Sequence, residues 1–189
     1  METKSHYFFA AKIPDETKLF MKDHMETLKQ SFPFSSWIHH QDLHITLAFL
    51  GSAEEEKLAA AYKNVNDSLI DEQKFLLKIN KLGIFGKSES PRVFWADTEE
   101  SPELHMIRRI VFTACEQAGF QLETRPFHPH ITLARKWRGE GPFRVSMLDI
   151  WQQVQPEPLP FLVKEVVLYR TNLQSTPKYE IIKAFPLQS

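Results

Sequence analysis

A repeated pentapeptide constrains this chain more than any other feature. His44-Ile45-Thr46-Leu47-Ala48 recurs as His130-Ile131-Thr132-Leu133-Ala134, 86 positions later. Self-similarity at a fixed period marks a structural unit used more than once. At the same offset Phe8 falls on Phe94, Phe9 on Trp95 and Ala10 on Ala96, and a helical pattern over 15–30 falls on another over 102–118. Both halves therefore read strand, helix, motif strand, over roughly 7–50 and 93–135. The residues between barely match, so the pattern is repeated more than the sequence. The expected fold class is α+β. Two pseudo-symmetric lobes, each an antiparallel sheet with helices, flank a cleft, and 1–189 forms one bilobal domain.

The remaining elements follow from periodicity and turn chemistry. Residues 6–13 and 43–50 read as strands, the second stopped by Gly51. Ser52 with Glu55 resembles a capping box for a helix over 53–70, whose apolar face is Leu58, Ala61, Tyr62, Val65 and Leu69. Strands are expected at 74–85 and 92–97, joined by a loop from Gly86 to Pro91, then at 129–135, 161–170 and 178–185. Gly139 to Pro160 is rich in turn residues. Fifteen Phe and four Trp supply ample core material.

On a strand, residues two apart face the same side. His44 and Thr46 therefore share one face, while Ile45 and Leu47 pack into their own lobe; His130 and Thr132 oppose Ile131 and Leu133 in the same way. A twofold between the lobes lets two imidazoles and two hydroxyls meet. Two histidines with ordinary values near ~6.5 suit paired acid–base work, one taking a proton and the other giving one. Phosphodiester hydrolysis needs that pair, together with hydroxyl donors for the phosphate oxygens and a cation for its charge. Arg135 is the cation at hand. Strict alternation puts it on the Ile131 and Leu133 face, so it reaches the cleft only where the strand ends or twists.

With these residues in view, the chain resembles the two-histidine (2H) phosphoesterase superfamily. Within it, the chain is similar to the bacterial and archaeal RNA 2′,3′-cyclic phosphodiesterases, historically named 2′-5′ RNA ligases. Both signature tetrads match, as do Tyr7-Phe8-Phe9-Ala10 with Ile13-Pro14, Leu43 through Gly51, and Arg125-Pro126-Phe127-His128-Pro129-His130 through Arg135. The resemblance spans about 7–186. It implies hydrolysis of RNA 2′,3′-cyclic phosphate ends to 2′-phosphates with no metal and no cofactor. It makes His44 the proton donor to the leaving 3′-oxygen and His130 the base that activates water. Thr46 and Thr132 hold the phosphate, and Arg135 contacts phosphate or substrate. Tyr179 resembles a tyrosine common late in the family and is a candidate substrate contact, and Phe9 and Trp37 are candidates for stacking on a nucleobase.

Composition narrows the partners. Net charge is −1, so a grip on long nucleic acid through many phosphate contacts is not expected, whereas one RNA end or a small cyclic-phosphate nucleotide is compatible. Arg125, Arg135, Lys136, Arg138 and Arg144 make a local basic excess, read either as a solvated face or as a track for flanking phosphates. Cys115 is the single cysteine, which excludes an internal disulfide and a cysteine-based zinc site. It reads as a small buried side chain. No apolar run approaches a membrane span and no convincing leader is evident, so a monomeric cytoplasmic protein is expected. Other readings kept open are hydrolysis of small cyclic nucleotides, 2′-5′ RNA ligation, a non-catalytic RNA-end module, and a metal site built from His44, His128 and His130.

Overall fold

The computed structural model describes residues 5–189. Nine strands and four α-helices follow one another as β1 (Tyr7–Lys12), α1 (Asp15–Lys29), β2 (Phe34–Trp37), β3 (His44–Gly51), α2 (Glu55–Leu69), β4 (Phe75–Lys87), β5 (Ser90–Thr98), α3 (Pro102–Gln117), β6 (Ile131–Trp137), α4 (Trp151–Val154), β7 (Leu159–Val163), β8 (Glu165–Thr171) and β9 (Tyr179–Pro186). Short 3-10 turns at His40–Asp42 and Val145–Ile150 precede β3 and α4. The strands form two antiparallel sheets, β3-β1-β8-β9 and β2-β6-β5-β4-β7. Each sheet carries one copy of the repeated motif.

Local chemistry sets the helices. In α1, Met21, Met25 and Leu28 form a buried stripe, with Asp15 and Glu16 in the first turn and Lys29 in the last, as the helix dipole favours. In α3, Pro102 occupies the first turn and the Ser101 hydroxyl accepts the Leu104 N–H at 3.1 Å. The capping box expected at Ser52 does not form. Helix α2 starts after Glu54 with no side-chain cap, relying on its buried Leu58, Ala61, Val65 and Leu69.

Two strand expectations are corrected. The segment 161–170 is not one strand: it breaks at Lys164, and β7 pairs with β4 while β8 pairs with β1. The chain thus changes sheets within one residue. Strand β2, unforeseen in Ser- and Phe-rich sequence, forms by pairing along β6 from Phe34↔Trp137 to Trp37↔Ala134. The hydrophobic interior is also shared: Ile45, Leu47, Ile131 and Leu133 lie in one buried cluster that runs through both sheets. Among the described residues no helix is long and apolar enough to cross a membrane.

The two motif strands carry the same irregularity. Opposite β1, Phe9 pairs with Ala48 and Ala10 with Thr46, so Leu47 is an extra residue. Opposite β5, Phe94 pairs with Ala134 and Trp95 with Thr132, so Leu133 is the extra residue. This β-bulge puts two consecutive core residues on each strand and returns the next one to the opposite face. It also fixes the true correspondence of the partner strands β1 and β5 at 85 positions, Phe9 with Phe94 and Ala10 with Trp95. The expected offset of 86 is one residue out there, which on a strand exchanges the faces.

Candidate active site

The two motif strands meet across a cleft of about 190 Å³ lined by His44, Thr46, His130, Thr132, Arg135 and Tyr179, with Phe8, Ile38, Asp42, Phe49 and Thr171 around them. Both imidazoles are anchored alike. His44 Nδ1 donates to the Asp42 carbonyl at 2.7 Å, and His130 Nδ1 donates to the His128 carbonyl at 2.8 Å. Each bond reaches two residues back along the chain. A carbonyl only accepts, so both Nδ1 atoms carry the proton and each neutral ring keeps its Nε2 lone pair for other work. The Thr46 hydroxyl donates to His44 Nε2 at 3.0 Å.

Each imidazole sits among aromatic rings. Phe8, Tyr179 and Tyr169 lie 4.8, 5.1 and 6.0 Å from the His44 ring centre. Phe85 and Trp95 lie 4.9 and 6.1 Å from that of His130. These rings replace part of the water around each half-buried imidazole and penalise its charged form. Burial pushes His44 down to about 4, opposed by its bond to the Asp42 carbonyl and assisted by the His130 charge. His130 is also lowered, again chiefly by burial, with His128 and Arg135 adding repulsion and Asp97 opposing it.

Arg135 reaches the cleft, against strict alternation, because the bulge at Leu133 and Ala134 resets the faces. Phe49 occupies the corresponding place on β3 and stands 57% exposed at the cleft lip, with the His6 ring edge-on at 5.9 Å. Sequence reasoning missed Phe49. The signal was present, since Phe49 and Arg135 each stand three residues after the motif threonine.

Phe9 is corrected. It is fully buried in the main core against Phe185, and Phe8 takes the cleft position. Trp37 packs edge-on against Phe34 and Phe94 rather than lining the cleft. Tyr179 does line it, edge-on to His44. The His128 ring packs against Trp95 and Phe85. Among the described residues no three His, Cys, Asp or Glu side chains converge as metal ligands, so the three-histidine centre does not assemble. His39 caps the turn before β3 by accepting the Gln41 N–H. Cys115 is fully buried, its thiol pushed up to about 12, which removes the thiolate a nucleophile needs.

Two lobes that each offer one imidazole and one hydroxyl to a shared cleft define the two-histidine class of phosphoesterase. Comparison with known proteins narrows this. The sequence profile of the 2′-5′ RNA ligase superfamily matches residues 14–174, and the chain belongs to that superfamily. It is 42% identical over 184 residues to an RNA 2′,3′-cyclic phosphodiesterase of Geobacillus stearothermophilus, covering 97% of this chain and 58% of that protein. It is 31% identical over 188 residues to the Bacillus subtilis RNA 2′,3′-cyclic phosphodiesterase, covering 98% of each. The fold is that of E. coli LigT, with a TM-score of 0.75 at 23% identity over the full length of both chains.

Proposed function

We propose that this protein hydrolyses RNA 2′,3′-cyclic phosphate ends to 2′-phosphates by two-histidine acid–base catalysis. The observation that carries the reading is the matched pair of Nδ1-anchored imidazoles, brought to one cleft by two equivalent strands. His130 takes a proton from water as its oxygen bonds to phosphorus. The bond from phosphorus to the 3′-oxygen breaks, and His44 gives that oxygen its proton. Water is consumed, a 3′-hydroxyl and a 2′-phosphate result, and the rings are reset when His130 releases a proton to solvent and His44 takes one up. The near-twofold site suits either histidine to either role, and the assignment follows the family resemblance. Thr46 and Thr132 donate to the non-bridging oxygens, and the Arg135 guanidinium offsets charge gathering on the phosphoryl group. Phe49 offers its exposed ring to the terminal base, and Tyr179 shapes the wall beside His44.

Both halves of the site come from one chain, which supports a monomer. The one thiol is buried and needs no oxidising compartment, which supports a cytoplasmic setting.

The test is incubation, in EDTA, with a short RNA bearing a 2′,3′-cyclic phosphate, followed by identification of the product end. Opening to a 2′-phosphate is expected. No opening in EDTA, with cleavage on adding a divalent metal, overturns the mechanism. Turnover of mononucleotide cyclic phosphates with none of oligonucleotides overturns the RNA substrate.

A further inference from the structure

Asp42 is 4% exposed, yet its carboxylate is not paired within its own element. It reaches the far end of the chain. One carboxylate oxygen accepts the Lys178 N–H and the other the Tyr179 N–H, each at 3.1 Å. These amides open β9, just after the turn that joins it to β8. The main-chain carbonyl of the same residue accepts His44 Nδ1–H at 2.7 Å. Asp42 therefore holds two things at once: the imidazole through its backbone, and the strand bearing Tyr179 through its side chain. Tyr179 in turn stands edge-on to His44, with ring centres 5.1 Å apart, and edge-on to Phe8 at 4.9 Å. On the other side the 3-10 turn is secured by Lys18, whose buried ammonium donates to the Gln41 carbonyl at 2.9 Å.

Building on the catalytic assignment of His44 above, we propose that Asp42 is a positioning residue, its carboxylate clamping the start of β9 so that Tyr179 holds the His44 ring with Nε2 toward the cleft. A buried carboxylate accepts readily and donates nothing, so two amide donors with no other strand partner are well matched to it. Without the clamp β9 loses both bonds, the Tyr179 ring drifts, and His44 keeps its carbonyl bond but not the wall that fixes its plane. Displacement of a reacting group by about 1 Å costs on the order of 100-fold in rate.

The experiment compares Asp42→Ala, Asp42→Asn, Tyr179→Ala and the Asp42→Ala/Tyr179→Ala double variant on a short RNA with a 2′,3′-cyclic phosphate, with His44→Ala as control. Asp42→Ala is expected to lower kcat about 10- to 100-fold with KM within about threefold of wild type. Asp42→Asn, which offers one acceptor oxygen to two amides, falls between. The double variant is expected to be no slower than Tyr179→Ala alone, because the two residues act as one unit. Imidazole 15N shifts of His44 are expected to show the Nδ1–H form in wild type and in Asp42→Asn alike, because the carbonyl bond is kept, while NOE contacts between the Tyr179 and His44 rings weaken in Asp42→Asn. Asp42→Asn carries the test if the alanine variant does not fold. Wild-type kcat in a folded Asp42 variant, additive losses in the double, or a rise in KM alone overturns the proposal. Wild-type turnover in His44→Ala overturns the catalytic assignment itself. Loss in His44→Ala beside wild-type turnover in the Asp42 variants overturns only the clamp.

Discussion

At the scale of single residues, the proposed site rests on two imidazoles whose charged form burial disfavours. Replacing either His44 or His130 with alanine is expected to lower kcat by at least about 100-fold, the usual worth of an acid–base group; turnover within a few-fold of wild type in either variant sinks the pair. Burial also gives His44 a signature in stability. Its value falls from 6.5 to about 4 on folding, so the fold favours the uncharged ring. That contribution is intact above pH 6.5 and is lost as pH falls toward 4. The melting temperature of wild type should therefore drop more over that window than that of His44→Gln, and equal drops overturn the assignment of cause. A bound diester anion acts in the opposite direction and raises the imidazole values. The rate profile is expected to be bell-shaped and to report the pair, with the alkaline limb of kcat at higher pH than that of kcat/KM. Coincident limbs would mean that the substrate does not recharge the acid.

At the scale of elements, the twin β-bulges decide what reaches the cleft. Composition and period two place His44, Thr46, His130 and Thr132 on polar faces correctly, because each His-x-Thr lies before the bulge. Past it, the same rule sends Arg135 to the wrong side and leaves Phe49 unnoticed. On β1 the offset of 86 taken from the motif strands does not hold, since the ladders match β1 to β5 at 85; separately, the aromatic at the cleft there is Phe8, while Phe9, a stacking candidate by residue type alone, faces the core. Phe49→Ala is expected to raise KM with a smaller effect on kcat, since stacking on a base is worth about 1–3 kcal/mol, and Arg135→Ala to lower kcat. The reverse pattern would exchange their roles. On β4, Gly83 leaves room for the Trp95 ring: a Cβ there would stand 2.2 Å from it. Trp95 is flanked by the Phe85, His128 and His130 rings. Gly83→Ala is expected to slow turnover about tenfold by disturbing the His130 wall, and unchanged kcat would show that the ring yields elsewhere.

At the scale of the whole molecule, a net charge of −1 and a cleft lined, among the described residues, by one arginine support the proposed recognition of an end rather than of a length. Arg138, Lys136 and Arg144 are exposed, and Arg125 is paired with Glu123. A plot of log kcat/KM against log salt is expected to have a shallow slope, about −1, as one phosphate contact gives. A slope steeper than about −3 would turn those exposed cations into a phosphate track. The sequence by itself determined the fold class, the duplication and the four motif side chains, because strand alternation and a repeated pentapeptide are local properties that need no partner. Only the tertiary structure decided the rest. Strand β2 exists because β6 offers it a ladder, 161–170 is divided because β4 and β1 compete for it, and the bulges are visible only when a strand is paired. The clamp from Asp42 to the amides of Lys178 and Tyr179 joins residues more than a hundred positions apart. No local pattern encodes such a bond, since a buried carboxylate finds its donors only after the sheets have closed around it.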